Sequence, residues 1–142
     1  MDERTERRIL EKAEYVGDAV KVLVRKRDSL SFEEYRTQRE QRDIVEREFE
    51  TAIEACIDIA KMILEADSAT VPSTNAQVFH ELGRRNVLHT KTARRMAKAA
   101  GFRNILSHQY GNEINDEDVY NFLQQDLSLF YDYLEQVRDR IE

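Results

Sequence analysis

The longest apolar stripe of the chain lies between Ile44 and Leu64, and its spacing is that of one face of an α-helix. A regular stripe of this length predicts a helix at the centre of the core. The 142 residues include only 1 Pro and 4 Gly, so few positions would interrupt a helix. The members of the stripe are Ile44, Val45, Phe49, Ile53, Cys56, Ala60, Ile63 and Leu64.

Helical patterns account for the rest of the chain, and no segment shows a convincing strand alternation. A first helix is predicted from about Glu3 to Arg27, and a break or bend is predicted between Arg36 and Asp43, where the apolar stripe is thin. We therefore expect an all-α, up-and-down bundle of four to five helices, forming a single domain over residues 1–142. The expected helix-starting signals are Ser31 with Glu34, Thr74 with Gln77, Thr90, and Asn115 or Asp116.

Several functional classes are disfavoured by composition. The single cysteine, Cys56, excludes an internal disulfide and is expected to be a small buried hydrophobe. No apolar run reaches the ~18 residues of a membrane span, and the N-terminus lacks the apolar core of a signal peptide, so a cytoplasmic protein without membrane contact is expected. The three histidines form no i, i+4 pair and no glycine-rich phosphate loop follows a strand, so neither a metal nor a cofactor is expected.

Charge is distributed unevenly along the chain. The net charge is −6, yet the segment from Leu82 to Asn112 contains no Asp or Glu and carries +7, which leaves −13 on the remainder. Such asymmetry points to an anionic partner at the basic segment, or to a basic helix that acidic neighbours neutralise. The predicted RNA-binding patch consists of Arg84, Arg85, Lys91, Arg94, Arg95 and Lys98.

The segment from Phe102 to Tyr110, directly after this patch, concentrates reactive side chains. Read as a helix at about 100° per residue, it places Phe102, Ile105 and Leu106 on one arc, which is expected to pack on the core. The opposite arc carries Arg103, Asn104, Ser107 and His108, with Tyr110 at one edge. Upstream, the apolar Met96, Ala97 and Ala100 point to a different arc, so either Gly101 interrupts the helix or one long helix buries different sides along its length.

These residue types suit metal-free cleavage of RNA. His108 is the right group to take a proton from a 2′-hydroxyl, and the guanidinium of Arg103 is the right group to stabilise charge on phosphorus. Asn104 could orient the substrate or the imidazole. However, Arg103 and His108 lie about 140° apart around the helix axis, so they flank one substrate only if their long side chains converge or a second chain closes the site. The alternative is that the polar arc is only the solvated side of a surface helix.

The segment Phe102–Tyr110 resembles the R-x4-H-x-Y motif of the HepT-like branch of the HEPN superfamily, whose members are toxins of type VII-like HEPN/MNT toxin–antitoxin pairs. The stretches 52–60, 79–82 and 93–97 and the last helix resemble the same family, in the same order. This resemblance implies an all-α bundle that forms a homodimer with the motif helices near the two-fold axis. It also implies a metal-independent endoribonuclease.

Carried over by position, the resemblance implies that Arg103 and His108 are catalytic and that Asn104 and Ser107 support them. Tyr110 would be the residue that a minimal nucleotidyltransferase (MNT) antitoxin silences by transferring AMP from ATP. In the implied homodimer, two motifs could build one groove, which would account for the wide angle between Arg103 and His108. The alternative function is a non-catalytic HEPN module that binds nucleotide or nucleic acid or scaffolds a nucleotidyltransferase.

A second R-x4-H spacing runs from Arg84 to His89. It lacks the tyrosine two residues after the histidine, where Lys91 stands, and it falls where the family has a helix end and a turn. We expect Arg84 and Arg85 to contribute to RNA attraction at most, and not to form the catalytic site.

Overall fold

The computed structural model describes residues 1–107 and 114–142, and these contain seven α-helices. The chain is all-α, as expected, and no strand occurs in the described residues. The helices are α1 (Glu3–Ser29), α2 (Phe32–Thr37), α3 (Arg39–Ala66), α4 (Asn75–Arg84), α5 (Thr90–Ser107), α6 (Asp116–Gln125) and α7 (Ser128–Ile141).

The described part of the chain therefore holds more helices than the four to five predicted from sequence. The break between α2 and α3, at the extended residue Gln38, falls within the thin part of the stripe, as expected. The break between α6 and α7 at Asp126 and Leu127 was not predicted, because neither proline nor glycine marks it. The apolar spacing continues across it, so periodicity alone reads α6 and α7 as one helix.

Three of the four predicted helix starts are confirmed by their hydrogen bonds, whereas Thr90 is the first residue of α5 and not its cap. Ser31 and Glu34 form a reciprocal capping box at α2. The Thr74 hydroxyl accepts a hydrogen bond from the Gln77 N–H at 3.2 Å, at the start of α4. The side-chain oxygen of Asn115 accepts hydrogen bonds from the first turn of α6, whose three acidic residues favour the positive end of the helix dipole.

The core is built around α3, as its apolar stripe predicted, except that Ile44 at the start of the stripe is 37 % exposed. α1 packs along α3, and α4, α5 and α7 enclose its other buried side. Phe49 is fully buried, and its ring centroid lies 5.7 Å from that of Phe102, 4.6 Å from that of Phe122 and 6.5 Å from that of Phe130. This cluster of aromatic rings joins α3, α5, α6 and α7 through dispersion and edge contacts.

Cys56 is fully buried, which confirms its expected role as a small hydrophobe. Burial raises the pKa of its thiol well above the usual range, so the thiolate that reacts with metals and oxidants is suppressed. Its backbone carbonyl accepts a hydrogen bond from the buried Tyr133 hydroxyl at 2.7 Å, which satisfies that polar group inside the core.

The turn between α4 and α5 brings two helices into close approach. Asn86 adopts a left-handed φ of 61°, a conformation that asparagine tolerates better than most residues. Gln136 of α7 holds the turn, because its carbonyl accepts from the His89 N–H at 2.8 Å and its amide donates to the Thr92 hydroxyl at 2.9 Å. These contacts fix the start of α5, the helix that carries Arg103.

Gly83→Ala is expected to destabilise the protein by about 1 kcal/mol, because a Cβ there would lie 2.9 Å from the Cβ of Ala93 and force α4 away from α5. Gly17→Ala is the matched control, since its added methyl meets no described atom within 4 Å and should stabilise α1 by about 0.5–1 kcal/mol. Urea unfolding of both variants measures the difference. Equal stability of the two variants would contradict this close packing.

Candidate active site at the end of α5

α5 runs without interruption through Gly101 to Ser107, so it is one helix that buries different sides along its length. In its first half Ala93, Met96 and Ala100 face the core, and near its end the buried residue is Leu106. At about 100° per residue, the buried arc shifts around the axis by roughly a quarter of a turn or more. Residues that lie between the two arcs are drawn inward.

Arg103 lies between these arcs, and its guanidinium is turned inward against α3. Its side chain is 24 % exposed, and an Nη donates to a Glu54 carboxylate oxygen at 3.1 Å. Its Nε is buried and has no hydrogen-bond partner within the described ranges. A partly desolvated guanidinium binds an anionic oxygen more strongly than one in bulk water.

Ser107 lies one turn after Arg103 and faces the same side of α3. Its hydroxyl lies 2.8 Å from a carboxylate oxygen of Glu50 and 3.0 Å from the backbone carbonyl of Arg103. Asn104 is exposed and forms no hydrogen bond through its side chain within the described residues. The structure thus brings Arg103 and Ser107 together on the α3 side and leaves Asn104 in solvent.

Glu50 and Glu54 are site residues that the sequence analysis missed. They lie four residues apart on α3, as Arg103 and Ser107 do on α5. One turn of α5 therefore contacts Glu54 through Arg103, and the next contacts Glu50 through Ser107. That shared spacing was the only signal available in the sequence. It was insufficient, because helical charge pairs of this spacing are common on exposed faces.

The expectation for the apolar arc of this segment was correct only in part. Leu106 is fully buried and Phe102 is half-buried, but Ile105 is 43 % exposed. The reason is the shifted buried arc, which leaves Ile105 on the outer side of α5 while Arg103 is drawn inward. His108 and Tyr110 of the motif lie outside the described residues.

The cations of the predicted basic patch are in two different environments. Arg84 and Arg85 both pair with Glu81, at 2.7 Å and 3.1 Å, and they hold the pKa of that carboxyl below its usual range. Arg95 approaches Asp126 at 3.5 Å. Part of the basic segment is thus neutralised by acidic neighbours, as the alternative interpretation of its charge required.

Lys91, Arg94 and Lys98 have no carboxylate within 4 Å in residues 1–107 and 114–142. Together with Arg95 they lie within an arc of roughly 100° on α5, so they form a continuous stripe of positive charge. We call these four residues the cation stripe. The stripe faces α6 and α7 or solvent, whereas Arg103 faces α3.

The second R-x4-H spacing is divided between two elements. Arg84 ends α4, where Glu81 binds it, and His89 lies in the turn before α5. The two side chains therefore do not share a helix face.

Among the described residues, no set of three or more His, Cys, Asp or Glu side chains is arranged to hold a metal ion. Within the same part of the chain, no helix combines the length and the apolar character needed to cross a bilayer.

Residues 9–137 match the family model described as ribonuclease HepT-like. The tRNA nuclease HepT of Aphanizomenon flos-aquae (strain 2012/KM1/D3) is 30% identical over 114 residues, which cover 80% of this chain and 77% of that protein. The mRNA nuclease HepT of Shewanella oneidensis is 29% identical over 85 residues, or 60% of this chain and 63% of that protein.

The fold is also that of a solved structure described as a tri-AMPylated Shewanella oneidensis HEPN toxin in complex with MNT antitoxin. The TM-score is 0.86 at 22% identity, and the match covers 98% of this chain and 99% of the other. At this identity the likeness is one of fold.

Proposed function

This chain belongs to the HepT-like ribonuclease family, and we propose that it is a metal-independent endoribonuclease toxin silenced by a nucleotidyltransferase antitoxin. The observation that carries the proposal is the inward-turned Arg103 guanidinium at the end of α5, in a chain whose residues 9–137 match the family. Two relatives named as a tRNA nuclease and an mRNA nuclease support RNA as the substrate class.

The proposed chemistry uses Arg103 and His108. His108 takes the proton of a ribose 2′-hydroxyl, whose oxygen then attacks the adjacent phosphorus. The bond from phosphorus to the 5′-oxygen of the next nucleotide breaks, and that oxygen receives a proton. The products carry a 2′,3′-cyclic phosphate and a 5′-hydroxyl. Arg103 stabilises the charge on the phosphoryl oxygens, and Asn104 and Ser107 support the site.

Silencing is proposed to occur at Tyr110. Its hydroxyl oxygen would attack the α-phosphorus of ATP, the bond to the β-phosphate would break, and pyrophosphate would leave. The relative described as a tri-AMPylated HEPN toxin in complex with MNT antitoxin supports both the partner and the modification. An AMP group two residues from His108 would add bulk and negative charge beside the catalytic groups, which would repel an RNA phosphate.

A homodimer is part of the same proposal. Ile105 is a large apolar residue, 43 % exposed, on the helix that carries Arg103. Burial against a second copy would remove this surface from water and bring two motifs to one groove. The molar mass of the protein in solution tests this part. We place the protein in the cytoplasm, where its RNA substrate is found.

RNA cleavage by the isolated protein in EDTA, compared with His108→Ala, tests the proposed function. The unmodified protein is expected to cut RNA and leave cyclic phosphate ends, and the variant to lose about 10²–10⁴-fold in rate. The preparation must first be shown by mass to carry no AMP on Tyr110. An unmodified protein that does not cut RNA would overturn the nuclease proposal in favour of a binding or scaffolding module.

A further inference from the structure

A cleft of about 410 Å³ opens between α5, α6 and α7, on the side of α5 that carries the cation stripe. Its floor is formed by the rings of Phe102 and Phe122, whose centroids lie 5.2 Å apart with an angle of 30° between planes. Polar and charged groups rim this floor. They are Arg95 and Lys98 on the α5 side and Asp118, Asn121 and Asp126 on the opposite side.

The lining of the cleft is balanced in charge, with Arg95 and Lys98 against Asp118 and Asp126, so an anion is favoured only where the cations of α5 extend beyond it. The chain has 28 acidic residues for 22 Lys and Arg, so acidic partners are plentiful. Nevertheless Lys91, Arg94 and Lys98 have none within 4 Å in the described parts of the chain. Lys91 lines a second depression together with Asp132, Glu135 and Asp139. Arg94 and Lys98 are therefore the cations of the stripe best placed to receive a phosphate backbone.

The floor and the far wall of the cleft suit a nucleobase. Phe102 and Phe122 are only half-buried, and aromatic side chains that line a cleft are groups on which any base can stack. The exposed amide of Asn121 both donates and accepts hydrogen bonds, as the edge of a base requires, and the carboxylate of Asp118 can accept from an exocyclic amine. One nucleotide could use both features, with its base over the rings and its phosphate at Lys98.

We propose that this cleft is a subsite for one unpaired base of the RNA substrate, with the adjoining phosphates on the cation stripe. The inference rests on the proposed nuclease function and assigns its substrate as single-stranded at this position. Phe102 lines the cleft and Arg103 follows it directly on α5. Since a helix with its side chains is roughly 10–12 Å across, a base in the cleft lies within about one helix diameter of the Arg103 guanidinium.

The test measures binding apart from cleavage. A 2′-O-methyl RNA oligonucleotide cannot undergo 2′-hydroxyl attack, and its affinity for the purified protein is measured by fluorescence anisotropy at several salt concentrations. Phe122→Leu keeps an apolar residue in the aromatic cluster and should weaken binding by about fivefold without changing the salt dependence. Lys98→Ala should weaken binding to all sequences and lower the log–log salt slope by about 0.7.

An abasic site moved through the oligonucleotide then locates the base. At one position the abasic site should weaken binding to the wild-type protein. With that oligonucleotide, Phe122→Leu should cause no further loss of affinity. Asn121→Ala should weaken binding by about fivefold for some bases and not for others. Lys21→Ala, an equal change of charge at an exposed position of α1, is the control and should leave affinity unchanged.

Two results would overturn the subsite. In one, the Phe122→Leu and Asn121→Ala variants bind every oligonucleotide as tightly as the wild-type protein does, and the wild-type protein cuts RNA. In the other, these variants lose affinity for the antitoxin but not for RNA, which would make the cleft a protein interface. Failure of the nuclease proposal is seen separately, as a protein that binds the oligonucleotide through the cleft but does not cut RNA in EDTA.

Discussion

Replacement of Arg103 by alanine is expected to slow RNA cleavage by about 10²–10³-fold, the usual consequence of removing one preorganised group that stabilises a developing anion. The reason is structural: the Arg103 side chain is only 24 % exposed and Glu54 holds its guanidinium, so the cation is positioned before RNA binds. Cleavage of one RNA substrate under single-turnover conditions measures the effect. Arg103→Lys should recover only part of the rate, because lysine lacks the planar fork that matches phosphate oxygens.

The loss of rate should not arise from unfolding. Glu54 is 56 % exposed, so breaking its ion pair with Arg103 is expected to change stability by only about 0–1 kcal/mol. Arg8→Ala removes an exposed arginine from α1 and is the matched control for lost charge. If the Arg103→Ala variant remains folded and cuts RNA as fast as the wild-type protein, Arg103 has no catalytic role.

Glu46→Gln is expected to stabilise the protein by about 3 kcal/mol near pH 8 and to have little effect near pH 4. Glu46 is 92 % buried in α3, one turn before Glu50. Burial, together with the negative charges of Asp43, Asp116 and Glu50, raises its pKa from 4.5 to about 7, although Arg42 opposes the shift.

The sign follows from proton linkage. Because the folded state holds the Glu46 proton more tightly than the unfolded chain, stability from this group falls as the pH rises from 4.5 to about 7. A glutamine side chain does not titrate in this range, so the free energy of unfolding of the variant should not show this decrease. Chemical unfolding of both proteins across this pH range measures the difference in their free energies of unfolding. The other carboxyl groups contribute equally to both proteins, so they do not affect this difference. Glu40→Gln, at an exposed position of α3, is the control, and the prediction is wrong if both variants follow the same profile.

Most helix boundaries were predictable because they depend on local interactions. The hydroxyl of Ser31 and the amide of Asn115 bind backbone N–H groups within three residues, so the sequence nearby is sufficient to locate α2 and α6. The end of α6 at Asp126 was not predictable in this way. The chain turns there to bring Leu129 and Phe130 of α7 onto the core, and that need arises from distant elements.

The candidate site was only partly predictable for the same reason. The motif residues are adjacent in sequence, so the chemistry of Arg103 and its neighbours was visible without a structure. Their orientation was not, because helical periodicity defines faces relative to the helix axis and leaves open which face meets the core. That choice depends on α3, which turns Arg103 inward to Glu54 and leaves Ile105 exposed.

By itself, the sequence determined the all-helical fold, most of the helix starts, the family and the uneven distribution of charge. These properties depend on residue type and local spacing. The tertiary structure alone decided which cations are neutralised, where Arg103 points, that Glu46 is buried and that an aromatic cleft lies beside the cation stripe. All four depend on side chains that are distant in sequence and meet only when the helices pack, so no local pattern encodes them.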